Sequence, residues 1–243
     1  MRIFVSLSLT LSLFVPGALA QETPAQAVLR ALAAHGTRWT SGQIADWVSE
    51  GKLTYFTIDG PQANFNVTLV RKGKSRVQRV IKQTSAELRQ GSDGTTSWDS
   101  LGGQFASLAQ GNTQFFIEAQ TVRSIQSLFN YPLEGLSLRD LGATDAARVI
   151  EAEDTRGKKT SYFIDSRTSL ITRLEFVIGQ SKDLFSQRPV PRVEAYVFSD
   201  FQVVQGVTTP FRIERYRDGI KVEDMQFTSV QYNAAVKDEA FKP

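Results

Sequence analysis

The chain has 243 residues, of which 41% are hydrophobic, and its 28 Lys and Arg residues against 25 Asp and Glu residues give a formal net charge of +3. The apolar fraction excludes a disordered chain, and the absence of cysteine excludes a disulfide scaffold. The nearly balanced charge excludes a nucleic-acid binder that works by electrostatics, because such a protein needs a basic stripe.

The first twenty residues predict a secretory signal peptide. Arg2 precedes an apolar run over residues 3–15, and a small-x-small cleavage site ends at Ala20. The run is too short to span a bilayer. The mature chain is expected to form one domain over residues 21–243 in the periplasm. Gln21 stands where a lipid-anchored protein carries cysteine, so we expect a soluble, unanchored protein.

Two short helices are predicted after the leader. Residues 23–35 begin with a capping box formed by Thr23 and Gln26 and end before a glycine. Residues 41–49 place three apolar side chains at helical spacing, which predicts a second helix.

A strand meander is predicted next, because the apolar pattern changes to a period of two. The predicted strands cover residues 53–58, 63–70, 76–83, 87–90 and 95–98. A basic cluster lies around the turn between the second and third of these strands, and we expect it to be solvated. Its members are Arg71, Lys72, Lys74, Arg76, Arg79 and Lys82.

An apolar helix is predicted over residues 114–129, followed by a loop over residues 132–145. The helix stripe contains Phe115, Ala119, Val122 and Phe129, with Phe116 and Ile125 beside it. Strands then resume over residues 148–154, 160–164, 170–178, 193–201, 211–217 and 220–230.

This element order predicts an α+β fold that is mainly β. Consecutive antiparallel strands with short turns favour one strongly twisted, curved sheet. Its apolar face needs a cover, and the helices are the only elements left to provide it.

Several degenerate motifs in a fixed order resemble the LolA/LolB-like periplasmic lipoprotein-carrier superfamily. Residues 161–176, SYFIDSRTSLITRLEF, resemble its hairpin of two hydrophobic strands around an Asp-x-x-Thr turn. The ending of outer-membrane lipoprotein-sorting proteins is matched by Asp200-Phe201, Gly206-Val207, Thr209-Pro210, Asn233 and Phe241. Asp93-Gly94 followed by Trp98 resembles an earlier turn and strand of the superfamily.

The resemblance implies an incomplete β-barrel whose concave face is covered by helices and holds acyl chains. The residues that we expect to line this cavity are Phe65, Val67, Leu69, Leu174, Phe176 and Ile178. The residues that we expect to close over it as a lid are Phe115, Phe116, Val122 and Phe129. The expected function is that of a periplasmic carrier or chaperone for lipoprotein acyl chains or another lipid-like amphiphile.

No catalytic or metal site is expected, and no cofactor. The single histidine, His35, is predicted to be a surface residue or a C-terminal residue of the first helix. Glu151, Glu153 and Asp154 form the densest acidic group, and a solvated face explains them. The other candidate carboxylates lie at turns, where aspartate is common for structural reasons.

Two other functions remain open. A module for protein interaction or envelope sensing could use the same fold, with the polar segment 181–192 as a mobile functional loop. A hydrolase of envelope polymers is the third hypothesis, with a poor catalytic inventory. The expected partners are a lipid or lipoprotein cargo and envelope proteins, with no nucleic acid, and the chain is expected to be a monomer.

Overall fold

The computed structural model describes residues 22–40, 42–106, 111–182 and 188–243. The predicted signal peptide lies outside these residues. The described strands all belong to one antiparallel sheet of 13 strands. They are β1 (Asp46–Thr57), β2 (Gly60–Lys72), β3 (Arg76–Lys82), β4 (Glu87–Asp93), β5 (Ser97–Leu101), β6 (Gln104–Ala106), β7 (Ser137–Ala143), β8 (Ala147–Glu153), β9 (Lys159–Asp165), β10 (Ile171–Lys182), β11 (Pro189–Val204), β12 (Val207–Arg217) and β13 (Ile220–Tyr232).

The described part of the chain also contains four α-helices: α1 (Pro24–His35), α2 (Asn112–Gln120), α3 (Ile125–Phe129) and α4 (Tyr131–Glu134). Short 3₁₀ helices lie at Thr37–Trp39 and Asp238–Phe241. Within the described residues, no helix combines the length and apolar character needed to cross a bilayer.

The sheet consists of two meanders that meet at a central seam. Its strand order is β6-β5-β4-β3-β2-β1-β13-β12-β11-β10-β9-β8-β7. Every neighbouring pair except β1 and β13 is consecutive in sequence, so short turns make most of the pairings. At the seam the register shifts between Glu50 and Gly51. A Cβ at Gly51 would lie 2.1 Å from the Gln226 carbonyl oxygen, so this close approach requires glycine.

The chain must cross the sheet to connect its two edge strands. β6 is one edge and β7 is the other, and α2, α3 and α4 form the connection between them. Buried side chains of α2 and α3 belong to the same hydrophobic core as those of α1 and the strands. The helical cover expected from the sequence is therefore the crossing connection itself. We call α2, the turn at residues 121–124 and α3 the lid (residues 112–129).

The first helix is confirmed, but the second is wrong. In α1 both hydrogen bonds of the Thr23–Gln26 capping box are present, and Pro24 occupies the first turn. Residues 46–49 of the predicted helix instead begin β1, and Ser41 lies outside the described residues. Trp47 pairs with Tyr232 on one side and Arg71 on the other. Strand pairing on both sides overrides a helical pattern this short.

The predicted helix over residues 114–129 is two helices. Thr121 Oγ1 donates to the Ile117 carbonyl oxygen, and Ser124 Oγ accepts from the Ser127 amide as the N-cap of α3. These side chains stabilise a break at residues 121–124. The predicted loop over residues 132–145 is also corrected, because it contains the rest of α4 and strand β7.

The fold class and the strand meanders are confirmed. The structure lengthens several strands, above all β1, β2 and β11. The segment 181–192 is not one loop, because Lys182 pairs with Pro189 and Ser181 with Val190 in a projecting hairpin. Residues 183–187 of that prediction lie outside the described residues.

Candidate functional site

An apolar cavity lies between the concave face of the sheet and the helices above it. We call it the main cavity. Its apolar walls include Trp39, Trp47, Leu69, Leu174, Phe198 and Tyr232. The Trp39 ring meets the rings of Trp47 and Tyr232 edge to face, with centroids 5.7 Å apart in both pairs. This aromatic group fixes one end of the cavity.

The main cavity is small with the lid in place. Its volume is about 80 Å³, whereas an apolar cavity known to hold benzene has a volume of about 150 Å³. The space below the lid in this structure is therefore too small for a long tail. A long tail enters only if the lid moves.

The sequence-predicted lining residues are divided among several places. Leu69 and Leu174 line the main cavity. Phe176 and Ile178 line a second cleft of about 390 Å³ beside the lid, together with Phe115. Val67 is buried in the core, and Phe65 is partly buried against it. All six face the concave side of the sheet or its core, but only two of them reach the main cavity.

The predicted lid residues differ in their environments. Phe116 and Phe129 are buried, and Phe115 is partly buried. Val122 is 50% exposed, so its expected place on the inner stripe is wrong. The break at residues 121–124 removes the helical spacing that the prediction assumed.

Polar contacts hold the lid on the sheet. Arg123 Nη1 donates to the Lys159 carbonyl oxygen at 2.8 Å and to Thr160 Oγ1 at 2.7 Å. Tyr162 Oη donates to the Arg123 carbonyl oxygen at 3.0 Å. Gln90 Nε2 donates to Thr113 Oγ1 at the start of α2. Water can replace such contacts, and α2 and α3 are too short to be stable away from the sheet.

A row of buried ion pairs runs across the concave face below α2. Arg79 Nη1 and Arg215 Nη1 each donate to the Glu223 carboxylate at 2.7 Å. Arg215 and Arg217 both donate to Glu194, the latter at 3.0 Å. We call these five residues the ion-pair ladder. Burial would raise the pKa of Glu223, but the two arginines hold it below its usual value.

The expected solvation of the basic cluster is wrong for two of its members. Arg71 and Arg79 are 3% and 2% exposed. Both continue the inward-facing alternation of their strands, Arg71 after Val67 and Leu69, and Arg79 between Val77 and Ile81. This period-two alternation was the feature of the sequence that could have predicted their burial. Charge density alone predicted a surface position, since Glu223 lies 144 residues from Arg79 in sequence.

His35 is the last residue of α1, as expected, but it is fully buried, so the expectation of a surface position is wrong. Its Nδ1 lies 3.1 Å from the Thr208 carbonyl oxygen, and its Nε2 accepts a 3.0 Å hydrogen bond from the Ile171 amide. These partners require the neutral tautomer with the proton on Nδ1. Burial lowers the pKa of His35 to about 4, although the Thr208 hydrogen bond opposes the shift.

The acidic residues at turns have structural partners. Asp93 Oδ1 accepts from the amides of Thr95 and Thr96, and Asp165 Oδ1 accepts from those of Arg167 and Thr168. The Thr96 and Thr168 hydrogen bonds are the largest causes that lower the pKa values of these two carboxyls. Glu151 is nearly buried and pairs with Arg139 at 2.9 Å.

Comparison with solved structures identifies the fold. An outer membrane lipoprotein-sorting protein domain from Vibrio parahaemolyticus matches with a TM-score of 0.59 at 9% identity, over 90% of this chain and 97% of that one. A DUF1329 family protein from Desulfovibrio piger matches with a TM-score of 0.59 at 12% identity, over 91% and 98%. A LolA superfamily protein from Nitrosomonas europaea gives 0.57 at 14%, over 91% and 98%.

No protein-family profile matches the sequence, and no curated protein matches it. The resemblance to LolA-like proteins is therefore confirmed for the fold: a curved, unclosed antiparallel sheet with helices over its concave face.

Proposed function

We propose that this protein is a periplasmic carrier for an amphiphile, binding a lipoprotein acyl chain or a similar apolar tail between the concave sheet and the lid. The observation that carries the proposal is the apolar main cavity below a lid of two short helices. Solved structures of the same fold include an outer membrane lipoprotein-sorting protein domain, which supports the assignment. The predicted leader would direct the chain to that compartment.

The energetics favour reversible binding. Burying a methylene contributes about 0.8 kcal/mol, so a 16-carbon tail would gain roughly 12 kcal/mol before ordering costs. Against this stands the apolar surface that the lid exposes on leaving, including Phe116, Leu128 and Phe129, which are 5% exposed or less. The lid and the tail compete for one surface, so release requires no chemical step.

The test measures uptake of a dansyl-labelled undecanoic acid and identifies lipids in organic extracts of the purified protein by mass spectrometry. Trp39 and Trp47 line the main cavity, so energy transfer from tryptophan to the dansyl group reports binding there. We expect saturable uptake that unlabelled palmitate reverses.

A variant that fills the cavity sharpens this test. Ala119 lies on α2, is 4% exposed and lines the main cavity. Ala119→Leu is expected to weaken uptake at least tenfold while the protein stays folded. Ala146→Leu makes the same change at an exposed turn and is expected to have no effect. Absence of uptake by the folded wild-type protein would refute the carrier proposal.

A further inference from the structure

Arg71 occupies the wall between the main cavity and an open cleft. The cleft has a volume of about 520 Å³ and lies at the turn between β2 and β3. Arg71 and Gln126 line both spaces. Arg71 is only 3% exposed. Its charge therefore lies buried between the apolar main cavity and the open cleft.

The guanidinium of Arg71 has no anionic partner among residues 22–40, 42–106, 111–182 and 188–243. It stacks on the Trp47 ring, with its Cζ atom 4.2 Å from the centroid. Its Nε is buried without a hydrogen-bond acceptor in that part of the chain. Arg79 and Arg215, which are equally buried, each pair with Glu223.

The other cations of the cleft are already paired. Lys72 Nζ and Arg76 Nη1 both lie 2.7 Å from Asp238 Oδ1. Lys74 Nζ lies 2.7 Å from Glu134 Oε1. Lys72 and Arg76 share the one carboxylate of Asp238, so these partly exposed side chains carry one excess positive charge. Arg71 is the buried cation of this region that has no anionic partner among the described residues.

Two further polar atoms on the same wall lack partners within the described residues. Trp39 Nε1 is a buried donor with no acceptor, and Gln126 Oε1 is buried without a donor. Both residues line the main cavity. Rotation of the Gln126 amide by 180° would present its nitrogen as a donor instead. Trp39 and Arg71 both contact the indole ring of Trp47. The Trp39 ring centroid lies 5.7 Å from the Trp47 ring centroid, and Arg71 Cζ lies 4.2 Å from it.

An unpaired buried charge is costly for a fold. Burial lowers the pKa of Arg71 to about 9, which leaves the group charged at neutral pH. Buried donors without acceptors require an explanation of the same kind. A ligand that brings an anion to this wall would satisfy the arginine and the tryptophan together.

We propose that Arg71 binds the anionic head group of a single-tailed amphiphile, a carboxylate or a phosphate ester, whose apolar tail enters the main cavity. Trp39 Nε1 and the Gln126 amide complete the head-group site. This inference rests on the carrier function proposed above and adds the chemistry of the ligand. Burial of the tail contributes affinity but does not orient the ligand. The contact of the head group with Arg71 determines which end of the ligand faces the cleft.

The experiment compares ligands that differ only in the head group. Dodecanoate, dodecyl phosphate and dodecanol compete with the dansyl probe on the wild-type protein and on Arg71→Met. In the wild-type protein we expect both anions to bind at least tenfold more tightly than dodecanol, as for hydrogen bonds to a charged group. In Arg71→Met the preference should disappear through weaker anion binding, while the affinity for dodecanol changes less than twofold.

Two more variants keep the result interpretable. Trp39→Phe retains the ring and removes Nε1, and it is expected to weaken anion binding about threefold to tenfold. It tests the site independently if Arg71→Met does not fold. Arg139→Met changes an exposed arginine on the edge strand β7 and should leave the preference intact.

The outcomes separate the two proposals. Equal affinity for dodecanoate and dodecanol in the wild-type protein would overturn the head-group inference and leave the carrier function standing, with water as the partner of these polar groups. Failure of all three ligands to bind would reject the carrier function as well. Competition by inorganic phosphate alone as strongly as by dodecyl phosphate would overturn the amphiphile and indicate a free-anion site.

Discussion

At the scale of single residues, Arg79 and Arg71 offer a direct comparison of a paired and an unpaired buried charge. Arg79 donates to Glu223 and Gln90 and lies over the Phe116 ring at 4.0 Å. Arg71 has only the Trp47 stack among the described residues. Removing one member of a buried pair leaves the other charge uncompensated, whereas removing an unpaired charge relieves a cost.

We therefore expect opposite effects of one substitution at these two positions. Arg79→Met should lower the free energy of unfolding by about 1–3 kcal/mol, because Glu223 keeps only Arg215 as a partner and the buried Gln90 Oε1 loses its Arg79 donors. Arg71→Met should leave it unchanged or raise it. Urea denaturation followed by circular dichroism measures both values, and a large loss on Arg71→Met would show that this arginine serves the fold instead of a ligand.

The pH dependence of stability should report His35. Burial lowers its pKa to about 4 in the folded protein, below the ordinary histidine value of about 6.5. Between these values the unfolded chain binds a proton that the folded chain does not, so stability falls as the pH falls from about 6.5 to 4. The full shift corresponds to about 3 kcal/mol. No other histidine is present in the chain.

Unfolding free energies at pH 6.5, 5.5 and 4.5 test this expectation. The wild-type protein should lose stability steadily across the series. His35→Gln, which does not titrate, should start from a lower value at pH 6.5 and change much less. Parallel pH profiles of the two proteins would show that the loss arises from carboxylates.

The same residues mark the limit of prediction from sequence at this scale. The apolar alternation placed Leu69 and Leu174 on the inner face because period two is a local property of a strand. The burial of Arg71, Arg79 and His35 depends on strands and backbone groups far away in sequence. Nothing local to a lysine- and arginine-rich hairpin shows that a carboxylate from β13 will reach it.

At the scale of elements, the lid is the part that sequence described least well. The capping box located α1 because its hydrogen bonds join residues three apart. The apolar spacing of residues 114–129 concealed the break at 121–124, since serine and threonine also occur inside helices. The side-chain bonds of Thr121 and Ser124 decide between the two possibilities.

Arg123 is the element-scale contact that we expect to keep the lid closed. It joins the lid to β9 through Thr160, pairs with Glu118 at 2.9 Å and lies 4.4 Å from the Phe176 ring. Arg123→Met should accelerate amide hydrogen exchange in residues 112–129 about tenfold or more, with little change in the strands.

Hydrogen–deuterium exchange read by mass spectrometry provides that measurement. Arg156→Met is the matched control, because Arg156 is an exposed arginine in the turn that precedes β9. Faster exchange throughout the sheet would contradict the expectation, since it would indicate global destabilisation and not local release of the lid.

At the scale of the whole molecule, the connection from β6 to β7 couples the lid to the two edges of the sheet. In sequence, the helical segment lies between the two edge strands β6 and β7. A tail inserted below the lid must therefore push against the sheet as well. We expect ligand binding to flatten the curvature of the sheet and to separate its edges.

The absence of cysteine makes this separation measurable with introduced labels. Leu101 on β5 and Leu141 on β7 are 53% and 46% exposed. Spin labels on cysteines at these positions should move apart when dodecanoate is added. Labels at Leu101 and at Ile58, which is 96% exposed in the same meander, should keep their distance. An unchanged distance between the edges in the ligand-bound protein would show that the lid opens without the sheet.

The lid lies between two strands in sequence and not at an end of the chain, and this position affects how readily the ligand-free protein aggregates. Two groups tethered in one chain meet at effective concentrations of about millimolar. The lid therefore covers the empty main cavity faster than a second protein molecule can bind there. Long exposed apolar surfaces and open sheet edges promote aggregation. For the proposed carrier, we therefore expect a molecule without ligand to cover its own apolar surface and to resist aggregation.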